Sequence, residues 1–506
     1  MLLVLALLTA TGAPSGVTSA FGAHELSSVS HSQVSSDRQS AQGAFSQILN
    51  SSAGDGSARS SSHSATASSL PSLSAPFDPT LLPALGGAAL LHQLSLAPAS
   101  TIATFVSEHH TSVVELLRNQ PAAAQVSADW SMLSMPAQRA LISSAPELVG
   151  NLEGVPFSTR DVANRGFLRN SITRVKRQLS AGIGSGGVGR AELVSARHHL
   201  MVLEEVSRTL AKASGNQKRQ LVTFDAAGET RAAVVVGDLA TADYVSYLVP
   251  GMFFTVQGQI FDWTEIAENL QSEQTEWIKT LSKTDTSLHG KTAATVSWIG
   301  YATPGALDIA SLAKADTGAN YLGRAITGVS AARKGNQPFV SLIAHSYGST
   351  AAMIELAKGD VSVDALAIVG SPGSATQTTA GLSVKNNNVF VGEAALDPVV
   401  STAFYGSDPG SPSFGARTMD VSGGTDAITS KPLGAAVGHL GYFDPHSQAM
   451  RNFALISLNE SSLVSGGSLA DAARTPTARR AAGKAARGSH VRAKFTPDRQ
   501  TALRFD

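Results

Sequence analysis

The sequence predicts an α/β fold in which a doubly wound, mostly parallel sheet follows a helical N-terminal segment. Between residues 81 and 212, apolar residues recur at the three- and four-residue spacing of helices. From residue 221 onward, short runs rich in β-branched residues alternate with helical stretches, as in a parallel sheet that is covered on both faces. Several candidate strands with crossover helices between them favour a doubly wound sheet.

The individual elements follow from these two periodicities. The predicted strands are residues 220–224, 232–236, 245–249, 294–299, 339–344, 365–369, 388–391 and 417–421. The clearest predicted helices are residues 102–117, 191–205, 262–281, 307–332, 349–358 and 447–458.

Composition excludes several kinds of chemistry. The chain of 506 residues has room for more than one domain, and 43% of it is hydrophobic. Lys+Arg and Asp+Glu balance at 38 each, so the net charge favours neither nucleic acid nor an anionic membrane as a partner. Cysteine is absent from the sequence, which excludes disulfides, thiolate nucleophiles and cysteine-bound metals.

Both ends of the chain differ in composition from the part between them. Residues 1–22 join an apolar run to small residues and predict a signal peptide, although the usual preceding positive charges are missing. Residues 23–76 predict a disordered Ser-rich linker, and residues 465–506 predict a disordered basic tail. The helical region is then 77–215 and the sheet domain 216–464. We expect a secreted or envelope-associated protein, the alternative being a cytoplasmic one.

The stretch Ala344-His-Ser-Tyr-Gly348 predicts a nucleophile elbow, a sharp strand-to-helix turn that presents Ser346. Small residues are needed two positions either side of the serine because strand and helix pack closely around its strained backbone. Glycine is usual at the first of these positions, and Ala344 is the smallest departure from it. An apolar strand precedes the turn and a helical pattern follows it, as the elbow requires.

A nucleophilic serine needs a base to remove its proton and an acid to orient that base. In folds with this elbow, the acid and then the histidine follow the serine along the chain. Asp397 is the candidate acid because an apolar strand runs out into a loop that ends in Asp397-Pro398. The alternatives are the other acids downstream of the serine, Glu393, Asp408, Asp420 and Asp426.

Two histidines lie between the candidate acid and the basic tail. His439 stands in a glycine-bounded loop before the last predicted helix and is the candidate base. His446 stands at the start of that helix, where capping or packing is the simpler role.

Acyl transfer also needs N–H donors that face the developing oxyanion. The backbone N–H after the nucleophile, that of Tyr347, is one candidate donor. Residues 245–254 predict a strand followed by a tight turn, in which Gly251 allows the turn and Met252 offers a second N–H. A plain turn without this role is the alternative.

These pieces resemble an actinobacterial α/β-hydrolase family that was long catalogued as a domain of unknown function. The resemblance covers about residues 150 to 455, and its pieces are residues 154–164, 233–238, 249–251, 298–304, 344–349, 370–373, 397–399 and 439–442. It implies a triad of Ser346, Asp397 and His439, with a helical segment before the sheet. The family carries glycine in place of Ala344, and small polar residues in place of Met252 and the two phenylalanines after it.

The expected function is therefore ester hydrolysis by a serine hydrolase that acts on a small-molecule or lipid-like ester. The apolar residues Met252, Phe253 and Phe254 beside the oxyanion turn favour an acyl chain. A peptidase or amidase is one alternative. The other is a catalytically silent binding or cell-envelope scaffold protein that keeps the fold.

Neither a cofactor nor a metal is expected. Residues 184–189 match the letters of a dinucleotide-binding loop, but the preceding residues predict a basic helix where such a loop needs a strand. The pairs His109-His110 and His198-His199 lie on predicted helices and lack the spacing of a zinc-binding helix.

Overall fold

The computed structural model describes residues 76–182, 187–211, 217–305 and 308–466. The expected signal peptide, nearly all of the expected linker, and the basic tail from residue 467 onward lie outside the described residues. Residues 184–186 of the discounted glycine-rich loop at 184–189 lie outside them as well.

Helices precede the sheet, as the sequence predicts. They are α1 (Gly87–Leu96), α2 (Ala99–Glu108), α3 (His110–Arg118), α4 (Ala123–Met132), α5 (Met135–Ser144), α6 (Pro146–Asn151), α7 (Phe157–Ser180) and α8 (Gly187–Ala211). The backbone at His109 (φ −122°, ψ 46°) divides the predicted helix 102–117 into α2 and α3. Across the described ranges, no helix has both the length and the apolar character needed to cross a membrane.

Ten strands follow α8 in the described part of the chain. They are β1 (Arg219–Asp225), β2 (Arg231–Val236), β3 (Tyr244–Val249), β4 (Ala293–Ile299), β5 (Phe339–His345), β6 (Ala365–Val369), β7 (Val389–Gly392), β8 (Arg417–Thr418), β9 (Gly424–Thr425) and β10 (Pro432–Leu433). The first eight form one sheet in the order β1-β2-β4-β3-β5-β6-β7-β8, and β9 pairs with β10 separately.

The large sheet is mostly parallel. Its β1–β2 and β2–β4 pairs are antiparallel, and its other five pairs are parallel. In this register, Tyr247 of β3 lies between Val296 of β4 and Leu342 of β5. Because β5, β6 and β7 run in parallel, their carboxyl ends meet at one edge of the sheet, where the side chains that follow them can converge.

Helices cover both faces of the sheet, which confirms the predicted doubly wound architecture. One face packs against Leu322 and Met353, and the other packs against Trp263 and Phe453. All four side chains are fully buried. The covering helices in this half of the chain are α9 (Val256–Leu281), α10 (Ala313–Ala332), α11 (Tyr347–Lys358) and α12 (Gln448–Ser457).

Buried polar contacts join the N-terminal helices to β1. The Arg160 guanidinium on α7 donates to both carboxylate oxygens of Glu153, with Nη2 2.8 Å from Oε1. Asn164 donates from Nδ2 to the Leu221 carbonyl oxygen at 2.9 Å. The Asn151 amide also exchanges two hydrogen bonds with the backbone of β1. The Arg160–Glu153 pair joins α7 to the segment before it, and the asparagine contacts satisfy backbone groups of the edge strand β1 and anchor the helices to the sheet.

The predicted elements differ from the structure mainly at their ends. Helix α9 begins six residues before its predicted start because the Thr255 hydroxyl caps it, accepting a hydrogen bond from the Gly258 N–H. Helix α10 begins six residues after its predicted start, behind a turn in which the Gly305 N–H donates to Asp308. The predicted strand 417–421 pairs only at Arg417–Thr418.

Candidate active site

Ser346 lies at a sharp turn between β5 and α11. Its backbone has φ 55° and ψ −133°, a conformation that residues other than glycine rarely adopt. The Ser346 N–H donates to the Val369 carbonyl oxygen at 3.0 Å, so the turn is tied to the end of β6. This strained strand–turn–helix geometry is that of a nucleophile elbow.

Two glycines let the chain pass close to this turn. A Cβ at Gly251 would clash with the Ser346 side chain, lying 2.9 Å from its Oγ. A Cβ at Gly348 would lie 2.7 Å from the Val249 carbonyl oxygen. Ala344, in contrast, is fully buried within β5, so the methyl group that replaces the usual hydrogen is accommodated in the core.

Asp397 and His439 form a buried pair at the same edge of the sheet. His439 Nδ1 lies 2.9 Å from Asp397 Oδ1. Asp397 Oδ1 also accepts the Val399 N–H at 2.9 Å, and Oδ2 accepts the Tyr442 hydroxyl at 2.7 Å. Although burial alone raises the pKa of the Asp397 carboxyl, these hydrogen bonds and the His439 charge outweigh it, and the pKa lies below its usual value.

Gly370 links this pair to Ser346. It follows Val369, whose carbonyl oxygen accepts the Ser346 N–H. A Cβ at Gly370 would lie 3.0 Å from both Asp397 Oδ2 and His439 Cε1. Ser346 and the Asp397–His439 pair therefore both lie at the end of β6, and no hydrogen bond joins His439 Nε2 to Ser346.

The tautomer of His439 follows from its partner. A carboxylate can only accept a hydrogen bond, so Nδ1 carries a proton, and in the neutral ring the lone pair is then on Nε2. His439 Nε2 is buried and makes no hydrogen bond with any described residue. Such a nitrogen is available as a proton acceptor, as a general base requires.

The alternative acids are occupied elsewhere. Asp408 accepts the Gly410 N–H, and Asp420 accepts hydrogen bonds from Ser422 and Gln448. Asp426 forms a buried ion pair with Arg451 at 2.7 Å. For Glu393, burial and the nearby Asp408 and Asp397 charges raise the pKa, which disfavours the ionised form that orients a base.

His446, the alternative base, is exposed and has a left-handed backbone (φ 61°). It directly precedes Ser447, whose hydroxyl caps α12 by accepting the Met450 N–H. The helix cap is therefore Ser447, and His446 lies one residue outside the helix.

The two predicted oxyanion donors belong to segments that meet at the elbow, since Met252 follows Gly251, which lies against the Ser346 side chain. Tyr347 is the first residue of α11, and neither its N–H nor that of Met252 donates to another described part of the chain. The Met252 side chain is buried in the core, so it packs within the protein. Phe253 has φ 63° and donates its N–H to the Pro304 carbonyl oxygen at 3.2 Å, which fixes the turn after Met252.

Two side chains at the site were not singled out from the sequence. Tyr442 holds the Asp397 carboxylate, although it belongs to the stretch 439–442 that carries the family resemblance. His345 directly precedes the nucleophile, and its Nε2 lies 2.7 Å from the His439 carbonyl oxygen. Both residues lie next to predicted site residues in the sequence, but the sequence does not show which groups they contact in the folded protein.

The elbow, the mostly parallel sheet and the helices on both faces agree with a comparison of the sequence with protein families. Residues 225–406 match a family model described as alpha/beta hydrolase. The chain has the α/β-hydrolase fold.

Curated relatives of this α/β-hydrolase-fold chain come from Mycobacterium tuberculosis. Uncharacterized proteins of strains H37Rv and CDC 1551 are each 25% identical to it over 292 residues. Each match covers 53% of this chain and 42% of the relative, so the chain spans about two fifths of the length of these relatives.

The similarity to solved structures is distant. A dienelactone hydrolase from Anabaena variabilis is 14% identical, with a TM-score of 0.26, over 38% of this chain and 83% of that one. A hyperthermophilic esterase from Pyrobaculum calidifontis is 12% identical, with a TM-score of 0.30, over 54% of this chain and 93% of that one.

Proposed function

We propose that this protein is a serine hydrolase that cleaves carboxylic esters through an acyl-enzyme. The observation that carries the proposal is the buried Asp397–His439 hydrogen bond beside the strained Ser346 turn. A serine alone is a poor nucleophile, and a histidine alone samples both tautomers. The three groups together supply a nucleophile, a base with a lone pair on Nε2, and an acid that fixes that tautomer.

In the proposed reaction, His439 Nε2 removes the Ser346 hydroxyl proton as Oγ attacks the ester carbonyl carbon. The carbonyl π bond opens to an oxyanion, which accepts hydrogen bonds from the Met252 and Tyr347 N–H groups. When the oxyanion collapses, the carbon–oxygen bond to the alcohol breaks and His439 returns the proton to the leaving alcohol. Water, activated by His439, then releases the acid from Ser346 by the same steps. Asp397 stays ionised and stabilises the histidinium.

The side chains around the acid and base favour an apolar substrate. Three exposed apolar residues lie within two positions of the acid and the base in the sequence: Leu396, Val437 and Leu440. A β-bridge between Ala395 and Val437 brings the segments of Leu396 and Val437 together. Exposed apolar side chains beside a reactive site favour an ester with an apolar, lipid-like part.

The test is hydrolysis of p-nitrophenyl esters from acetate to long acyl chains, with labelling by a fluorophosphonate that reacts with activated serines. We expect wild type to turn over and to be labelled, and Ser346→Ala to lose both. Asp397→Ala and His439→Ala should lose at least about 1,000-fold in kcat/KM. Matched controls are Asp408→Asn and His446→Ala, which replace the same residue types outside the site and should keep activity.

Two other results would redirect the assignment. Labelling of Ser346 with turnover of anilides in preference to esters would indicate an amidase or peptidase. A folded wild type that is neither labelled nor active would indicate a binding or scaffold protein.

A further inference from the structure

His345 connects the strand that bears the nucleophile to the loop that bears the base. It is the last residue of β5, directly before Ser346. Its Nε2 lies 2.7 Å from the backbone carbonyl oxygen of His439, and the two imidazole rings are 4.5 Å apart between centroids. One side chain therefore contacts both the backbone and the ring of the base.

The direction of this hydrogen bond fixes the state of His345. A carbonyl oxygen only accepts, so His345 Nε2 is the donor and Nδ1 carries a lone pair in the neutral ring. Nδ1 is buried and makes no hydrogen bond with any described residue. Burial, reinforced by the nearby His439 charge, lowers the pKa of His345 to about 3, so the ring stays neutral at ordinary pH.

The aromatic rings around His345 explain its burial. Phe254, Tyr442 and Phe443 lie 5.4 to 6.4 Å from it between ring centroids. This packing keeps water from competing for the His439 carbonyl oxygen, so the hydrogen bond is worth more than it would be on the surface.

The His439 loop makes few other hydrogen bonds to β5. The Gly438 N–H donates to the Ala395 carbonyl oxygen at 2.8 Å, which ties the loop to the segment of the acid. The imidazole itself is held by Asp397. Among the described hydrogen bonds of this loop, the His345 hydrogen bond is the one that reaches the nucleophile's own strand.

We propose that His345 is a positioning residue, which sets the distance between the His439 imidazole and the Ser346 hydroxyl by holding the His439 backbone. The inference rests on the proposed hydrolase function. Proton transfer requires the two groups to lie within hydrogen-bond reach, and a displacement of about 1 Å can reduce a rate by about 100-fold.

The test compares His345→Gln, His345→Phe and His92→Phe. Glutamine keeps an N–H donor at a reach similar to that of Nε2, whereas phenylalanine keeps the ring and loses the donor. His92 lies in the N-terminal helices, paired with Asp129, and provides the same exchange away from the site. The readouts are kcat and KM with p-nitrophenyl butyrate, the rate of fluorophosphonate labelling, and the low-field proton NMR signal of the His439 Nδ1–H.

We expect His345→Phe to lower kcat and the labelling rate by about 30-fold with KM changed less than about twofold. His345→Gln should restore most of the loss, and His92→Phe should leave both rates unchanged. The His439 Nδ1–H signal should move in His345→Phe and return in His345→Gln.

Equal rates and unmoved signals in the folded phenylalanine variant would overturn the inference, as would equal losses in both His345 variants. An inactive, unlabelled wild type would contradict the hydrolase function. The NMR comparison would then still decide whether His345 positions His439.

Discussion

The Tyr442 hydroxyl donates to Oδ2 of Asp397 at 2.7 Å, on the carboxylate oxygen that His439 does not contact. The same hydroxyl accepts the Ala394 N–H at 2.8 Å, so one phenol links the backbone after β7 to the acid. Both oxygens of the carboxylate are thus held, which fixes the plane in which the acid meets the imidazole.

Tyr442→Phe removes a donor that stabilises the ionised acid, so the pKa of Asp397 should rise. Asp397 must be ionised to orient His439, and its wild-type pKa lies below the usual range. We therefore expect the acidic limb of kcat/KM to move to higher pH. Loss of the hydrogen bond also loosens the carboxylate that orients His439, which should lower kcat/KM at neutral pH about 10-fold. Tyr244→Phe, a half-buried tyrosine at the start of β3, is the control and should keep the wild-type pH profile.

Gly251→Ala should abolish most activity while the protein stays folded. The added methyl would meet the Ser346 side chain, and displacement of that side chain should cost about 100-fold in kcat/KM. Gly258→Ala is matched to it because the nearest atom to its new Cβ lies at 3.5 Å, an ordinary contact. Ester turnover tests the activity of both variants, and circular dichroism tests whether they are folded. An active Gly251→Ala would show that the turn can move to accommodate the added methyl group.

Arg160→Met should destabilise the protein by about 3 kcal/mol because it leaves the Glu153 carboxylate, whose side chain is only 13% exposed, without its partner. The double variant Arg160→Met/Glu153→Leu should recover most of this loss. Arg208→Met breaks an exposed pair with Glu205 and should cost less than about 1 kcal/mol. Urea unfolding followed by tryptophan fluorescence compares them, and equal losses for Arg160→Met and Arg208→Met would contradict the prediction.

Glu460→Gln should stabilise the protein at pH 8 more than at pH 5. Burial and the nearby Asp285 charge raise the pKa of Glu460 to about 7, so the folded state binds its proton more tightly than the unfolded state does. Wild-type stability from this group therefore falls as pH rises from about 4.5 to 7. Since the group is partly solvated, we expect a difference of about 1 kcal/mol.

The measurement for Glu460 is the midpoint of thermal unfolding at both pH values. The Lys385→Gln variant, which removes an exposed partner of Asp364, should show no such pH-dependent gain. A Glu460→Gln midpoint that shifts equally at pH 5 and pH 8 would contradict the proposed titration.

Strand positions and the elbow could be predicted because they depend on local sequence. Strands β1 to β7 are covered on both faces of the sheet, and such strands can be recognised in the sequence as continuous apolar, β-branched runs. The strand predicted at 417–421 is shorter in the structure, at Arg417–Thr418, for a nonlocal reason. Beyond Thr418, the Asp420 N–H donates to the Ser465 carbonyl oxygen, a partner 45 residues away that no local pattern indicates.

The supporting residues of the site could not be predicted for a similar reason. His345 occupies a position in the elbow where many residues fit, and its meaning depends on a loop 94 residues later in the chain. Tyr442 lies three residues after His439, but only the folded loop directs its hydroxyl to Asp397. Thr255, in contrast, could have been recognised as a helix cap from its residue type.

The order of the chain also affects when chemistry can begin during synthesis. Ser346 leaves the ribosome 93 residues before His439, which corresponds to about 5–20 s of translation. Until then the turn that bears Ser346 has no base. Strand β5 also lacks helix α12, which packs on it in the folded protein through the 3.0 Å hydrogen bond between Ser341 and Ser457. Under the proposed function, a nascent chain would therefore remain unreactive toward esters until all eight strands of the large sheet had been made.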